Sequence, residues 1–102
     1  MTDEQMALVA KALAHPARIR IIRLLAAQSE CRGHDVFSEL PLAQSTISEH
    51  LRVLKEAGLV HSQPLRTSMV YCLVGSVLDE FKQTVEEIGA RAATCVAGQQ
   101  GR

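Results

Sequence analysis

The sequence predicts a mainly α-helical domain with one small β-hairpin, ordered as four helices, the hairpin and a fifth helix. Three observations carry that expectation. Apolar residues recur at spacings of three and four along most of the chain, as the buried faces of helices require. Between Val60 and Val74 the pattern changes to alternation, as in a strand pair. The apolar residues are mostly Leu, Ile, Val and Ala, with Phe37, Tyr71 and Phe81 the only aromatics in a chain that is 47% hydrophobic, a composition typical of small helical cores.

A length of 102 residues is that of one domain, expected over residues 1–97 with a disordered tail at 98–102. A chain of this size buries about two-thirds of its unfolded surface, so a second copy would add to a modest core.

Thr2, with Gln5 three residues on, has the form of a capping box and starts a first helix from about Asp3 to Ala14. Met6, Val9 and Leu13 make its apolar stripe. His15-Pro16 breaks that helix, and Pro16 suits the first turn of a second, running to about Gln28. Its apolar face is expected at Ile19, Ile22 and Ala26, with Leu25 close by. Ser29 to Gly33 is a polar connection, followed by a short helix from about His34 to Leu40, ended by Pro41. The fourth helix runs from Ala43 or Gln44 to Ala57. Ile47, Leu51 and Leu54 lie on one side of it; Ser45, Ser48, Glu49, Arg52 and Lys55 lie on the other. Gly58 supplies the left-handed residue that stops it. The hairpin, Val60 to Val74, has its tip at Gln63 to Ser68. Its return strand sets Met69, Tyr71 and Leu73 against Val70, Cys72 and Val74, and neither set is polar enough to identify the buried face; Cys72 reads as a packing residue. The last helix starts near Ser76. Leu78, Phe81, Val85, Ile88, Ala92 and Cys95 form a narrow heptad-like seam suited to another helix, and Gly89 within it permits close approach.

The outer face of the fourth helix points to function. Short hydroxyls, an amide, an acid and bases allow close approach to a DNA groove and can hydrogen-bond base edges and phosphates. A formal net charge of zero and a pI near 6.9 exclude a nonspecific polycation, but the charges are segregated. Arg18 to Arg66 holds seven bases against five acids, whereas Asp79 to Glu87 holds four acids and one Lys. The acidic start, without a following apolar core, is no secretory signal, and no apolar run approaches the roughly 20 residues that span a membrane. Three widely spaced cysteines make no disulfide framework, so a cytoplasmic setting without membrane attachment is expected. An enzyme is not expected: there is no glycine-rich phosphate loop, and a small helical body leaves little room for a cleft.

Short helix, turn, polar-faced helix and a hairpin with Arg66 near its tip is the winged helix-turn-helix order. Three motifs resemble one family within it, the ArsR (ArsR/SmtB) bacterial repressors. Leu13-Ala14-His15-Pro16-Ala17-Arg18-Ile19-Arg20-Ile21-Ile22-Arg23-Leu24-Leu25 is similar to that family's second-helix signature. Gln44-Ser45-Thr46-Ile47-Ser48-Glu49-His50-Leu51, with Leu54 to Val60, resembles its recognition helix, and Val70-Tyr71-Cys72-Leu73 the return strand of its wing. The resemblance spans about Leu8 to Leu73. It implies a homodimeric repressor that occupies a near-palindromic double-stranded operator and releases it when an effector binds, usually a metal or metalloid ion and in some members a thiol oxidant. A two-fold dimer places half-sites roughly 10 bp apart. A winged helix used for protein contact would instead show an apolar or acidic outer face.

The resemblance implies base-edge contacts from Gln44, Ser45, Ser48 and Glu49. Gln44 suits adenine, and Glu49 can accept from a cytosine amine. Thr46 and Arg52 are expected at phosphates, Arg66 at a minor groove or phosphate, and His50 in a packing or phosphate role. The dimer interface is expected on the first and last helices, at Met6, Val9, Leu13, Leu78, Phe81, Val85, Ile88 and Ala92. Many family members carry Cys-x-Cys plus Asp at the start of the third helix. Here that box falls on Arg32-Gly33-His34-Asp35, which lacks both cysteines, and the last helix contains no His for the family's other common site. Cys31, His34 and Cys95 are the remaining sensing candidates, bridging subunits through a soft ion such as As(III) or Sb(III) or through oxidation. No cofactor is expected to be needed for DNA binding itself.

Overall fold

The computed structural model describes residues 1–27 and 35–92. The element order is α1 (Asp3–Leu13), α2 (Pro16–Ala26), α3 (Asp35–Ser38), α4 (Gln44–Glu56), β1 (Val60–Leu65), β2 (Ser68–Leu73) and α5 (Gly75–Arg91), the order expected. The expected end of α2 at Gln28, the start of α3 at His34 and the 98–102 tail fall outside the described residues.

The start of α1 and the end of α4 follow from local chemistry. Thr2 Oγ1 accepts from the Gln5 N–H at 3.1 Å, and Gln5 Oε1 accepts from the Thr2 N–H at 2.9 Å, closing the capping box. Helix α4 stops at Gly58, whose φ of 79° is left-handed. The Gly58 N–H donates to Lys55 O, and the Leu59 N–H reaches back to Leu54 O at 3.0 Å, the pattern that satisfies the last carbonyls of a helix. At α2, Pro16 occupies the first turn and His15 caps it, its Nδ1 accepting from the Ala17 N–H at 3.1 Å.

The core is one cluster drawn from α1 to α4 and the start of β1: Val9 and Ala12, Ile21 and Leu25, Val36 and Leu40, Ile47, Leu51 and Leu54, then Leu59 and Val60. Helix α2 presents Ile21 and Leu25 to it, whereas Ala26 is exposed and Ile19 and Ile22 are half-buried, a correction to the face expected from spacing. In a run as apolar as Ile19 to Leu25, a helical period fits more than one face. Contact with α1 and α4 selects the one that is buried.

The hairpin is a two-stranded antiparallel sheet with Val60 opposite Leu73 and Leu65 opposite Ser68. Its turn is tighter than expected, because Pro64 remains in the strand opposite Met69 and Arg66 takes a φ of 59°. Val70 is the buried residue of the return strand, while Met69 is 40% exposed. Cys72 does not simply pack: it is joined in a disulfide, and the other cysteines, Cys31 and Cys95, lie outside the described residues.

Helix α5 buries no side chain within the subunit. Leu78 and Phe81 lean on the core, but Val85 is 46% and Ile88 59% exposed. A Cβ added at Gly89 meets nothing within 4 Å, so the space beside it is open in the single subunit. Among the described residues no helix is long and apolar enough to cross a membrane.

Candidate nucleic-acid interface

Helix α4 sorts its residues by face. Ile47, His50, Leu51 and Leu54 are buried, while Gln44, Ser45, Thr46, Ser48, Glu49, Arg52 and Lys55 are exposed. The helix starts at Ala43, which offers no side-chain cap. The Thr46 N–H donates to Ala43 O at 3.0 Å, so the Gln44 and Ser45 N–H groups are the ones left for solvent or an acceptor such as a phosphate oxygen. The four expected base-edge residues thus stand together on the outer face of the N-terminal half of one helix, the part that enters a major groove in helix-turn-helix proteins.

The charges on this face are not free-standing. Arg52 bonds both Glu49 and Glu56, with Nε donating to Glu49 Oε1 at 3.0 Å and the two terminal nitrogens each donating to one of the carboxylates. The hydrogen bonds from Arg52 hold the Glu49 carboxyl below its ordinary range, and the two carboxylates in turn hold Arg52 more firmly protonated. In the free protein Arg52, expected at a phosphate, lies between two acids and orients Glu49. The spacing contained that signal, since acids three residues before and four after an Arg are helix-surface partners.

Beneath the face, α4 is tied to the start of α2. Arg18 Nε donates to His50 Nδ1 at 3.2 Å, while Arg18 Nη1 donates to Lys11 O at 3.2 Å and Ala12 O at 3.4 Å. The His15 ring lies 4.6 Å from that of His50. His50 is 7% exposed, and burial, followed by the charges of His15 and Arg18, lowers its pKa, with Glu49 opposing. His50 therefore serves in packing, and its Nδ1 carries no proton while it accepts from Arg18.

The wing flanks the N-terminal half of α4. Arg66 is exposed at its tip, where a left-handed non-glycine residue costs about 1 kcal/mol or more. Phe37, Tyr71 and Met69 line a 290 Å³ pocket with Gln44, Ser48 and Ser68. Sequence reasoning did not assign these aromatic and apolar residues to the site. The alternation of the return strand, which places Met69 and Tyr71 on one face, was the available signal.

The residues expected at a dimer interface divide. Val85, Ile88 and Ala92 are exposed; Met6, Leu13, Leu78 and Phe81 are half-buried. Val9 is 2% exposed and belongs to the subunit's own core, so its assignment to the interface is corrected. Leu8, 46% exposed, is the apolar residue that α1 turns outward. Adjacent residues on a helix point about 100° apart, so a one-residue shift exchanges core for surface. Ala92 is the extended residue capping α5, beyond the helical seam. The sensing candidates Cys31, His34 and Cys95 lie outside the described residues, and among the described ones no group of three or more His, Cys, Asp or Glu is placed to hold a metal ion.

Comparison with known proteins agrees with this geometry. Residues 15–62 match the family model described as bacterial regulatory protein, arsR family. The HTH-type transcriptional regulator MJ1325 of Methanocaldococcus jannaschii is 34% identical over 83% of this chain and 96% of its own. An ArsR-like transcriptional regulator from Rhodococcus sp. RHA1 superposes with a TM-score of 0.76 at 28% identity, covering 85% of this chain and 81% of that one. The homodimeric winged helix-turn-helix DNA-binding domain Mb0332 of Mycobacterium bovis does so at 0.68 and 27% identity, covering 93% and 97%. The helix order, the wing and the sequence likeness over nearly all of MJ1325 together place the chain in the ArsR family of transcriptional regulators.

Proposed function

We propose that the chain is a cytoplasmic, homodimeric repressor that holds a near-palindromic operator through α4 and the wing of each subunit and lets go when an effector acts on its thiols. The observation that carries the DNA-reading part is the outer face of α4. Gln44, Ser45, Ser48 and Glu49 are exposed together at an uncapped helix start, while the opposite face is locked into the core. The outward apolar residues of α5 support the homodimer, as does the homodimeric state of the similar Mycobacterium bovis domain.

Two effectors fit the residues. One is a soft metalloid or metal ion, As(III) or Sb(III) foremost, taken by Cys31 and Cys95 with His34; the described residues supply no alternative cluster. The other is an oxidant, and a specific observation favours it: Cys72, on the wing strand, is in a disulfide. In that case two thiols lose two electrons and two protons to a peroxide, which leaves as water or water and an alcohol. Either event releases DNA only through a coupling free energy between effector and operator, typically ~1–3 kcal/mol.

Anisotropy titration of the protein on its own upstream DNA, at several salt concentrations, tests the DNA-reading function. Ser48→Ala or Glu49→Ala is expected to lose sequence preference while retaining a salt-dependent background. Unchanged preference in every variant of the α4 outer face rejects the assignment. Adding As(III), Sb(III), Cd(II), Zn(II) or a peroxide to the complex, with Cys31→Ser, Cys72→Ser and Cys95→Ser in parallel, separates the effectors. Release by ions that survives Cys72→Ser selects the ion, and release by peroxide that is lost in Cys72→Ser selects the disulfide.

A further inference from the structure

We infer that the pocket where the wing meets the start of α4 receives the C5-methyl group of an operator thymine, which makes Met69, with Phe37 and Tyr71, a specificity determinant for an A·T pair. The inference rests on the DNA-reading function proposed above and names a base that function leaves open.

The pocket has two chemistries. Phe37, Met69 and Tyr71 supply its apolar side, and Gln44, Ser48 and Ser68 its polar side. Phe37 and Tyr71 brace each other edge to face with ring centroids 6.3 Å apart, which fixes the apolar wall. Gln44 and Ser48 are one helical turn apart on the outer face of α4. A groove edge met by Gln44 and Ser48 therefore lies against the pocket. Met69 is 40% exposed on the side of the wing facing this helix start, although Val70 beside it is buried. An apolar side chain left open there is covered only when something apolar is brought to it.

Among the groups that a major groove displays, one is apolar: the thymine methyl. In the same base pair, adenine offers N7 and N6–H₂, the edge that a glutamine carboxamide matches in a two-point contact. Gln44 beside an apolar wall is thus matched to both halves of one A·T pair. A C·G pair in that position offers no methyl to the wall, and a carboxamide has no comparable two-point match with its guanine. The pocket continues directly from the polar face that approaches the bases, so its occupant is operator DNA rather than a separate ligand.

The test replaces each thymine of the upstream operator in turn by deoxyuridine, which removes only the methyl, and measures affinity at fixed salt. Burying one methyl corresponds to roughly fourfold in affinity. One thymine per half-site is therefore expected to weaken wild-type binding about fourfold, and about fifteenfold when both half-sites are changed. Met69→Gln, which keeps the length and removes the apolar surface, is expected to bind thymine and deoxyuridine operators alike; Met69→Leu is expected to restore the difference. If no single deoxyuridine matters while Ser48→Ala still loses sequence preference, the pocket assignment is overturned and the DNA-reading function stands. A small, even loss at every thymine signals a change in duplex shape and also overturns it. Wild-type protein that binds no upstream DNA overturns the function and this inference together.

Discussion

Helices α4 and α5 are both amphipathic, 13 and 17 residues long, yet the fold treats them oppositely. Helix α4 buries Ile47, His50, Leu51 and Leu54, and so presents its polar face from a fixed base. Helix α5 buries nothing completely and leaves Val85 and Ile88 in solvent. One subunit is therefore sufficient to position the DNA-facing helix and insufficient to satisfy the last one. Amphipathicity alone does not distinguish these cases. The difference is whether the apolar face meets its partner in the same chain.

The strongest way to break the contrast is in the core beneath α4. Leu51→Ala is expected to cost about 2–5 kcal/mol of folding stability, read from chemical denaturation at fixed protein concentration. A loss under about 1 kcal/mol would mean that α4 is not anchored as described. Ile88→Asp probes the other side. Ile88 is 59% exposed, so the subunit should keep its helical circular dichroism while self-association weakens on the order of thirtyfold in sedimentation. An unchanged association constant would place the interface elsewhere.

Acid sharpens the contrast more gently. The pKa of His50 is lowered in the folded chain by burial among α2 and α4 groups, with His15 and Arg18 facing it and Glu49 opposing. The unfolded chain therefore binds more protons below the ordinary histidine value of about 6.5. The contribution of neutral His50 is complete above that pH and is lost as pH falls from there through the lowered folded value. Denaturation midpoints should fall over that range, and His50→Gln should flatten the slope; an equal slope in the variant would assign it to other groups. The smallest effect concerns the outer face. Glu56→Gln removes one of the two acids holding Arg52, and operator affinity should rise about two- to fivefold at low salt and converge with wild type at high salt. Glu49→Gln, by contrast, should alter base preference if Glu49 meets a base edge as proposed above.

Much of this was legible from residue order. The Thr2–Gln5 box, the break at His15-Pro16, the Gly58 stop and the hairpin are local chemistry and depend on few distant contacts. The outer face of α4 was legible for the same reason, since three apolar positions at helical spacing, Ile47, Leu51 and Leu54, leave only one side for the rest. Less legible was the choice among competing apolar faces. Ile19 and Ile21 are equally apolar, and only packing against α1 and α4 puts Ile21 inside; likewise Val9 turns inward and Leu8 outward. The Cys72 disulfide could not be read from spacing, because chain order does not reveal which sulfurs meet in space. The pocket at the wing required three segments, around Phe37, Gln44 and Met69, to converge.

Leu59 carries a mechanical consequence. Its N–H is bonded to Leu54 O at the end of α4, and its carbonyl accepts from the Val74 N–H at the foot of the return strand. Its side chain is fully buried between them. Helix and wing are thereby clamped at a shared pivot and cannot be levered apart without breaking both bonds. Each subunit thus carries α4 and the foot of the wing as one unit, and in the homodimer proposed above an effector would act on the distance and angle between two such units. Operators with a base pair inserted at the centre should therefore be rejected about as completely as the effector-bound protein rejects the natural one.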